Sequence, residues 1–359
     1  MQTTPHFKFK AMFIRNAKTL LYTVLLFGCV GLIFLYNLTG TGRADEDPLR
    51  LDYVMGKPLE KINLDYKKNI FFSVKTSVKN YRTRLSLLLL TWFQTVDKDQ
   101  LFIISDNPSR DVKFVHAIRN AGYNLIPSNC KDSHKPLDLC CKTGQECGTY
   151  YKELREHPSE KDRYQWFCHF DDDVYVNVKQ LSSLLQQYNH SKPYYIGRWP
   201  REVYVNEFLE AASEELINVK RFNYPIHTVQ YKYATGSTRC MSYAMMMEVA
   251  EFFNYTTRYC QVALRSDDVS QGFIVEIVLG HELTSVDEIH GQFEDISQAS
   301  AEEIKKYVTV SYRRRPGIDH LINHVNIPSN FSDDEQRFKA YHCLLYPEVS
   351  WCRSSSPSV

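Results

Sequence analysis

The sequence has little excess charge and few clusters of basic residues. Its 359 residues carry a formal net charge of +1, and Arg313 to Arg315 form the one notable basic run, which we interpret as a solvated loop. A nucleic-acid partner normally requires a basic patch, so this balance argues against one. The sequence also lacks internal repeats and low-complexity segments, and it has no C-x-x-C pair. The absence of such a pair argues against structural zinc.

One uncharged segment lies near the amino terminus. Thr19 to Leu38 holds 20 residues without a charge, about the length that a membrane-spanning helix requires. Basic residues precede this segment and acidic residues follow it, so we expect a cytoplasmic amino terminus and a body on the far side of the membrane. A cleaved signal peptide is the alternative, but its apolar part is usually about 7–15 residues long and ends in an A-x-A-like site.

The cysteines agree with a location beyond a membrane. Nine of the ten follow the apolar segment, and an oxidising compartment favours disulfides. Because nine is odd, at least one thiol is free or pairs between chains. Glycosylation sequons begin at Asn189, Asn254 and Asn330, all in the part predicted to be luminal. Asn37 also begins a sequon, but it lies too close to the membrane to be used.

These patterns divide the chain into five parts. We expect a cytoplasmic tail over 1–18, a transmembrane signal-anchor over 19–38, a luminal stem over 39–68, a catalytic domain over 69–352 and a disordered tail over 353–359.

Within the body, apolar strand-like runs alternate with helical patterns. The predicted strands are Ile70–Thr76, Leu101–Asp106, Tyr164–Phe170 and Tyr194–Gly197, and the predicted helices are Thr83–Phe93 and Val178–Tyr188. This alternation predicts an α/β fold with a mostly parallel sheet. Ligands of such sheets bind at the carboxyl ends of the strands.

Three acids stand at one of these ends. Asp171, Asp172 and Asp173 directly follow a strand-like run, where like charges repel and their desolvation is costly. A solvated acidic turn is one explanation. Oxygen ligands for Mg²⁺ or Mn²⁺ at a nucleotide-diphosphate site are the other.

A second acidic pair begins a predicted helix. Val269, Phe273, Ile274, Ile277 and Val278 fall on one helical face. Ser266 is a suitable N-cap, and Gly280 a suitable stop. Asp267 and Asp268 then occupy the first turn, where the helix dipole favours carboxylates, so capping alone could explain the pair.

The motifs of the body resemble those of a known family. "WFCHFDDDVYVN" resembles the core of the fringe family of β-1,3-glycosyltransferases, and "VKTSVKNYRTRLSLLLLTW" resembles its first strand and helix. The segments "SNC…CC", "YYIGR", "YATG", "SDDVSQGFIVEIVLG" and "YHCLLYPEVSWC" follow in the order of the family. The similarity extends from about Ile70 to Cys352.

The resemblance implies a fold, a reaction and a location. The fold is the type A nucleotide-sugar transferase fold, with a Rossmann-like sheet. The reaction passes N-acetylglucosamine from UDP-GlcNAc to the 3-hydroxyl of O-linked fucose on EGF-like repeats, with inversion and with Mn²⁺ as cofactor. Notch-type receptors or their ligands would be the acceptors, and the Golgi membrane would be the location of a type II enzyme.

The resemblance also implies roles for individual residues. Asp173 would bind the metal, Asp172 the donor, and Arg84 would hold the donor. Asp268 would be the general base, and because a helix N-terminus stabilises negative charge, we expect it to stay ionised near pH 7. The implied disulfides are Cys130–Cys141, Cys168–Cys240 and Cys343–Cys352, which leaves Cys140, Cys147 and Cys260.

Two departures from the family pattern bear on the site. The glycine-rich loop of the family reads Gly236 to Arg239 here, and we expect Arg239 either to crowd the loop or to reach a phosphate. The histidine that ligates the metal in the family corresponds to Gln292, a poorer ligand for Mn²⁺. We therefore expect weaker metal binding, or His290 as a substitute ligand, although a plain surface histidine fits His290 equally well.

Three functions remain open on the sequence alone. The first is the fucose-directed N-acetylglucosaminyl transfer. The second is a related β-1,3-galactosyl or N-acetylglucosaminyl transfer to another acceptor. The third is a catalytically impaired luminal binding protein of the same fold.

Overall fold

A central sheet carries the site. The computed structural model describes residues 61–62, 64–157, 163–199, 203–204, 230–235, 237–250, 260, 265–311, 327, 331 and 337–353, with 203–204 described by their backbone. In these residues seven strands form one sheet, in the order β10 (Leu283–Ser285), β6 (Tyr195–Gly197), β9 (Thr238–Ser242), β4 (Trp166–Asp171), β1 (Ile70–Thr76), β2 (Leu101–Ser105) and β3 (Asn124–Pro127). Strand β9 runs antiparallel to both of its neighbours, and the other pairings are parallel. The predicted mostly parallel sheet flanked by helices is confirmed.

The strands are short, and several are buried at every position. Their bounds are β1 Ile70–Thr76, β2 Leu101–Ser105, β3 Asn124–Pro127, β4 Trp166–Asp171, β5 Val174–Val176, β6 Tyr195–Gly197, β7 Val203–Tyr204, β8 Gln230–Tyr231, β9 Thr238–Ser242, β10 Leu283–Ser285 and β11 Thr309–Ser311. Strands β5 and β11 form a separate antiparallel pair, as do β7 and β8. Interior parallel strands are covered on both faces, which explains why their sequences look like continuous apolar runs.

Helices cover both faces of the sheet. Their bounds are α1 Ser86–Leu90, α2 Val112–Asn120, α3 Pro136–Glu156, α4 Val178–Leu185, α5 Tyr243–Ala250, α6 Asp267–Gly272, α7 Ala301–Ile304, α8 Phe338–Leu345 and α9 Ser350–Arg353. The predicted helix Thr83–Phe93 is interrupted at Thr91, whose backbone leaves the helical region. The helix α3, 21 residues long, was not predicted.

The helix predicted to begin with Asp267 and Asp268 has two forms of helix in the structure. It begins after Ser266, whose extended backbone is that of an N-cap but whose side chain makes no capping hydrogen bond. It continues as a π-helical turn over Phe273–Val278. Gly280 follows with a positive φ of 77°, a conformation that glycine adopts without steric cost. The predicted stop at Gly280 is thus confirmed, with the helix ending at Val278.

One face of the sheet changes from apolar to polar along the strands. Side chains alternate between the two faces of a strand, so Phe71, Ser73 and Lys75 of β1 share one face. The register aligns Phe71 with Phe167 and Met241, Ser73 with His169 and Arg239, and Lys75 with Asp171. The first row is part of an apolar cluster. The next two rows place charged residues inside the protein, toward the carboxyl end of β1.

Four disulfides join the described segments. They link Cys130 to Cys141, Cys140 to Cys260, Cys168 to Cys240 and Cys343 to Cys352. Among the described cysteines, Cys147 alone is free, and it is buried. The three bridges implied by the family pattern are therefore present, and two of the three remaining cysteines form a fourth.

The predicted membrane anchor, Thr19 to Leu38, lies outside the described residues, as does most of the predicted stem. Within the described part of the chain, no helix combines the length and the apolarity that crossing a bilayer requires.

A first prediction concerns Gly272, which lies where α6 contacts the 230–235 segment. A Cβ at this position would lie 2.4 Å from the Cβ of Tyr233 and 2.8 Å from the backbone oxygen of Lys232. Alanine favours a helix over glycine by about 1 kcal/mol, but overpacking a filled interior costs about 1–3 kcal/mol. We expect Gly272→Ala to lower the free energy of unfolding, measured by denaturant titration. Gln145→Ala, at an exposed position of α3, should change it by only a few tenths of a kcal/mol. A Gly272→Ala protein as stable as the parent would contradict this prediction.

Candidate active site

The two acidic motifs meet in one pocket. A cavity of about 720 Å³ lies beyond the carboxyl ends of β1 and β4 and is lined by Asp171, Asp172 and Asp173 together with Asp267 and Asp268. These motifs are far apart in the sequence, and the sheet and α6 bring them together. The pocket is also lined by Lys75 and by four further cationic side chains, namely Lys79, Arg84, Lys142 and Arg265.

Asp172 lies in the pocket wall and accepts hydrogen bonds from three side chains. Its Oδ2 accepts hydrogen bonds from Thr76 Oγ1 and Asn80 Nδ2, both at 2.7 Å, and its Oδ1 accepts one from Arg84 Nη1 at 2.9 Å. Both carboxylate oxygens are thus bound by protein donors. The side chain of Asp172 is 5% exposed, so the buried charge has the compensation that it requires.

Asp173 has fewer partners and an altered acidity. Among the described side chains, the guanidinium of Arg84 is its ion-pair partner, at 3.2 Å from Oδ2. Burial raises the pKa of Asp173 to about 7, Asp171 and Asp172 add to the rise, and Arg84 opposes it. Arg84 therefore bridges the last two acids of the triplet.

Asp171 belongs to a buried chain of charges on the polar rows of the sheet. Lys75 Nζ lies 3.4 Å from its Oδ1, and His169 Nε2 lies 3.5 Å from the same oxygen. The Nδ1 of His169 contacts both carboxylate oxygens of Glu146 at 2.7 and 2.8 Å, and Ser73 donates to Glu146 at 2.8 Å. Burial opposes ionisation of Asp171, but Lys75 and then His169 outweigh it and bring its pKa to about 2.

The acids of the second motif have opposite environments. Asp267 is buried among cations, and although burial opposes its ionisation, Lys75 and Arg239 hold its pKa well below the usual range. Asp268 is half-buried and lines the pocket, and its Oδ1 accepts the backbone N–H of Val269 at 2.9 Å. Burial, together with the charge of Asp267, raises the pKa of Asp268. That Asp268 stays ionised near pH 7 remains a prediction, in which the helix terminus favours the charge and desolvation, with the charge of Asp267, opposes it.

The structure places Arg239 away from both expected positions. Thr238 to Ser242 form strand β9 rather than a loop, and Arg239 is 1% exposed on the polar row of the sheet. Its Nη2 donates to Asp267 Oδ2 at 2.9 Å. Arg239 thus neither crowds the loop nor reaches a phosphate in the pocket, because a buried carboxylate already binds it.

Gln292 and His290 also have different surroundings. Gln292 lines the pocket with the acids, and His290 is not among the lining residues. The ring of His290 lies against Tyr307, with 4.0 Å between ring centroids. Burial lowers its pKa to about 4. The structure therefore brings together the metal candidate Asp173 and Gln292, and it does not bring His290 to them.

Several residues of the site had not been identified from the sequence. Lys75 and Glu146 are buried, and Lys142 is 4% exposed with its Nζ 3.1 Å from the backbone oxygen of Thr76. One signal for Lys75 was available, since a lysine inside a buried apolar run requires a charged partner. Glu146 lacked such a signal because α3 was not recognised.

The donor set can contribute to binding of a hard cation. Asp173 and Gln292 supply oxygen atoms, and the raised pKa of Asp173 indicates a carboxylate that lacks full compensation for its charge. Mg²⁺ and Mn²⁺ are often held by one or two carboxylates, with substrate phosphates and water completing the coordination. Among the described side chains, no group of three or more His, Cys, Asp or Glu is arranged to hold an ion. The residues thus fit a site that a phosphate-bearing ligand completes.

Two exposed aromatic side chains lie in adjacent segments, one of which lines the pocket. Phe293 lines the pocket and is 51% exposed, and Trp199 is 40% exposed. Arg198, next to Trp199, lies 3.9 Å from Glu294, next to Phe293, so the two segments are adjacent. Lys232 Nζ lies 5.0 Å from the ring centroid of Trp199.

The predicted glycosylation sites are only partly covered by the described residues. Asn189 is exposed, and its Oδ1 accepts the backbone N–H of Ser191 at 3.0 Å. Asn254 and Asn330 lie outside the described residues.

The fold and the pocket together define a class of protein. A mostly parallel sheet flanked by helices, with converging acids at the carboxyl ends of its strands, is the arrangement of an α/β enzyme with its ligand site in that crevice.

Comparison with known proteins identifies the family. A sequence model described as Fringe-like matches residues 66–349. The chain is 32% identical over 300 residues to "Beta-1,3-N-acetylglucosaminyltransferase lunatic fringe" of Danio rerio, covering 82% of this chain and 72% of that protein. It is 33% identical over 291 residues to "Beta-1,3-N-acetylglucosaminyltransferase radical fringe" of Notophthalmus viridescens, covering 79% and 66%. The chain belongs to the Fringe-like family, whose members named here are glycosyltransferases.

Solved structures give a weaker likeness. The galactosyltransferase LgtC, in complex with donor and acceptor sugar analogues, matches 79% of this chain and 99% of its own, at 10% identity and a TM-score of 0.35. We draw no conclusion from a likeness of this size.

Proposed function

We propose that the protein is an inverting, metal-dependent glycosyltransferase of the type A fold that moves N-acetylglucosamine from UDP-GlcNAc to the 3-hydroxyl of O-linked fucose on EGF-like repeats. Such a transfer would modify Notch-type receptors or their ligands. The observation that carries the proposal is the meeting of Asp173 and Asp268 in one pocket of about 720 Å³. Family membership and the names of the relatives support the sugar and the linkage.

The cations of the pocket suit an anionic donor. Lys79, Arg84 and Arg265 line the same cavity as the acids, and a UDP-sugar carries two negative phosphates. Guanidinium groups bind phosphate oxygens in a bidentate manner. Arg84 Nη1 already contacts Asp172 and Asp173, so it could contact the donor from a position fixed by these two carboxylates.

A bound divalent cation would neutralise the charge that develops on the departing diphosphate. Asp173 would hold the ion, and the side-chain oxygen of Gln292 is the other candidate ligand on the described surface. We infer Mn²⁺ from the resemblance, and the oxygen donors are compatible with it.

The chain supplies the base for the transfer. Asp268 would accept the proton of the acceptor hydroxyl while that oxygen forms its bond to the anomeric carbon and the bond to UDP breaks. One in-line displacement of this kind inverts the anomeric carbon. Burial and Asp267 raise the pKa of Asp268, which makes it a stronger base than an exposed aspartate.

Exposed aromatic side chains would bind the acceptor. Phe293 lines the pocket and is 51% exposed, and Trp199 lies in the adjacent segment and is 40% exposed. Aromatic rings can pack against the C–H groups of sugars. We expect Phe293→Ala to raise the KM for a fucosylated acceptor about threefold to tenfold, the equivalent of one lost aromatic contact. The KM for the donor should be unchanged. Val112→Ala, which trims an exposed apolar side chain outside the pocket lining, is the control, and an equal effect of both variants on acceptor KM would contradict the assignment.

We also propose that the enzyme is a type II protein of the Golgi membrane with a luminal catalytic domain. The uncharged 20-residue segment Thr19 to Leu38 supports an anchor. The four disulfides of the described residues support an oxidising compartment.

A donor and acceptor screen tests the proposed function. The luminal part would be assayed with UDP-GlcNAc and UDP-galactose against a fucosylated EGF-like repeat and its unfucosylated form, with and without Mn²⁺. Transfer from UDP-GlcNAc to the fucosylated repeat alone supports the proposal. Transfer from another donor, or to another acceptor, supports the related-transferase alternative. If neither transfer nor Mn²⁺-dependent UDP binding is detected, the alternative of a catalytically impaired binding protein is supported.

A further inference from the structure

Three donors converge on one buried oxygen below the pocket. Oδ2 of Asp267 accepts from Thr143 Oγ1 at 2.6 Å, from Lys75 Nζ at 2.8 Å and from Arg239 Nη2 at 2.9 Å. The donors come from α3, β1 and β9 respectively. Three separate elements thus hold one atom of the residue that begins α6.

Because Asp267, Lys75 and Arg239 are buried, their ion pairs are stabilising only in a good geometry. The side chains of Lys75 and Asp267 are 7% and 4% exposed, and Arg239 is 1% exposed. A buried ion pair repays its desolvation only when its geometry is good and its hydrogen bonds are satisfied. Loss of one cation leaves charge unbalanced in the interior, so the position of Asp267 is tightly constrained.

The constraint extends to the proposed base. Asp268 is the next residue along the chain, and Ser266 gives α6 no side-chain capping hydrogen bond. The side chain of Asp267 is thus one anchor for the start of this short helix. Lys75 also lies 3.4 Å from Asp171, so the same cation connects the helix to the acid triplet.

We propose that Arg239 and Lys75 are positioning residues for sugar transfer: by binding Oδ2 of Asp267, they hold the start of α6 so that the carboxylate of Asp268 faces the acceptor hydroxyl. The inference rests on the proposed function of Asp268 as the base. Neither residue needs to touch the substrate to exert the effect.

Kinetics of Arg239→Met and Arg239→Lys test the proposal. A small displacement of a catalytic group can lower the rate by up to about 100-fold, so we expect kcat of Arg239→Met to fall about 10- to 100-fold. The KM for the donor and the stoichiometry of UDP binding should stay at the parent values. Arg239→Lys keeps the charge and should recover part of the lost kcat.

Met246→Ala is the control for destabilisation alone. This side chain is buried in the apolar cluster on the same face of the sheet, so its truncation should lower the thermal unfolding temperature without lowering kcat per UDP-binding molecule. If Arg239→Met behaves in the same way, Arg239 is only structural and the inference is wrong. If Arg239→Met fails to fold, Thr143→Val decides, because it removes one of the three donors without leaving an unpaired charge. A lowered kcat in Thr143→Val supports the proposal, and an unchanged kcat overturns it.

The parent enzyme in the same assay separates this inference from the proposed function. An inactive parent counts against the function. An active parent together with fully active Arg239 and Thr143 variants counts against the positioning role alone.

Discussion

Replacing Asp268 by asparagine is expected to lower kcat by about 10²- to 10⁴-fold, the range attributed to a general acid or base. The amide cannot accept the proton of the acceptor hydroxyl, although it has nearly the same size. The hydrogen bond from the backbone N–H of Val269 can be kept by the amide oxygen. The contacts of Asp267 with Lys75 and Arg239 are not altered by the change, so the start of α6 should stay in place.

Binding and turnover must be measured together for this variant. We expect UDP binding, measured by calorimetry in the presence of Mn²⁺, to match the parent, because Asp268 is not assigned to the donor. Glu302→Gln makes the same chemical change at an acid whose side chain is 81% exposed on α7, and it should leave kcat unaltered. An Asp268→Asn enzyme with the parental kcat would show that another group is the base.

Replacing Asp173 by alanine is expected to remove metal-dependent donor binding. Changing a residue that only supports a metal ligand typically lowers metal affinity about 10- to 100-fold, so loss of the ligand itself should reach at least the upper part of that range. The carboxylate also has few compensating partners in the protein, as its raised pKa of about 7 indicates. Its removal should therefore affect the fold less than removal of Asp172, whose two oxygens hold three side chains.

A titration of transfer rate against Mn²⁺ concentration measures this effect. Asp65→Ala, at an exposed position before β1, is the matched control and should follow the parent curve. Gln292→His is the opposite change, because imidazole is a better ligand for Mn²⁺ than an amide oxygen, and it should lower the Mn²⁺ concentration at half-maximal rate. An Asp173→Ala enzyme with the parental Mn²⁺ dependence would rule out Asp173 as the metal ligand.

The parts of the fold that could be predicted are those encoded by local patterns. The run Ile70–Thr76 is a strand from its first residue to its last because both faces are covered. The end of the predicted helix that begins with Asp267 follows from Gly280. Helix α3 escaped prediction because charged, polar and small residues interrupt its apolar pattern, and tertiary contacts rather than a clear amphipathic stripe hold it in place.

The parts of the site that could not be predicted depend on register. Lys75, His169 and Arg239 lie in three strands that are distant in sequence, and only their pairing places them in adjacent rows of one face. The family resemblance identified Asp173 and Asp268 as candidates, but it treated Arg239 as part of a loop. A single arginine carries no local sign that it will lie in an antiparallel strand beside a buried carboxylate.

The bond between Cys140 and Cys260 has a consequence for how the enzyme matures. It closes a loop with a sequence separation of 120 residues, and it fastens the amino-terminal part of α3 to the chain shortly before α6. Cys140 Sγ also lies 3.9 Å from the backbone oxygen of Arg265. The segment that leads to Asp268 is thus covalently tethered to α3 only when this bond is present. A chain that has not yet formed the bond would hold the proposed base less firmly than the oxidised protein.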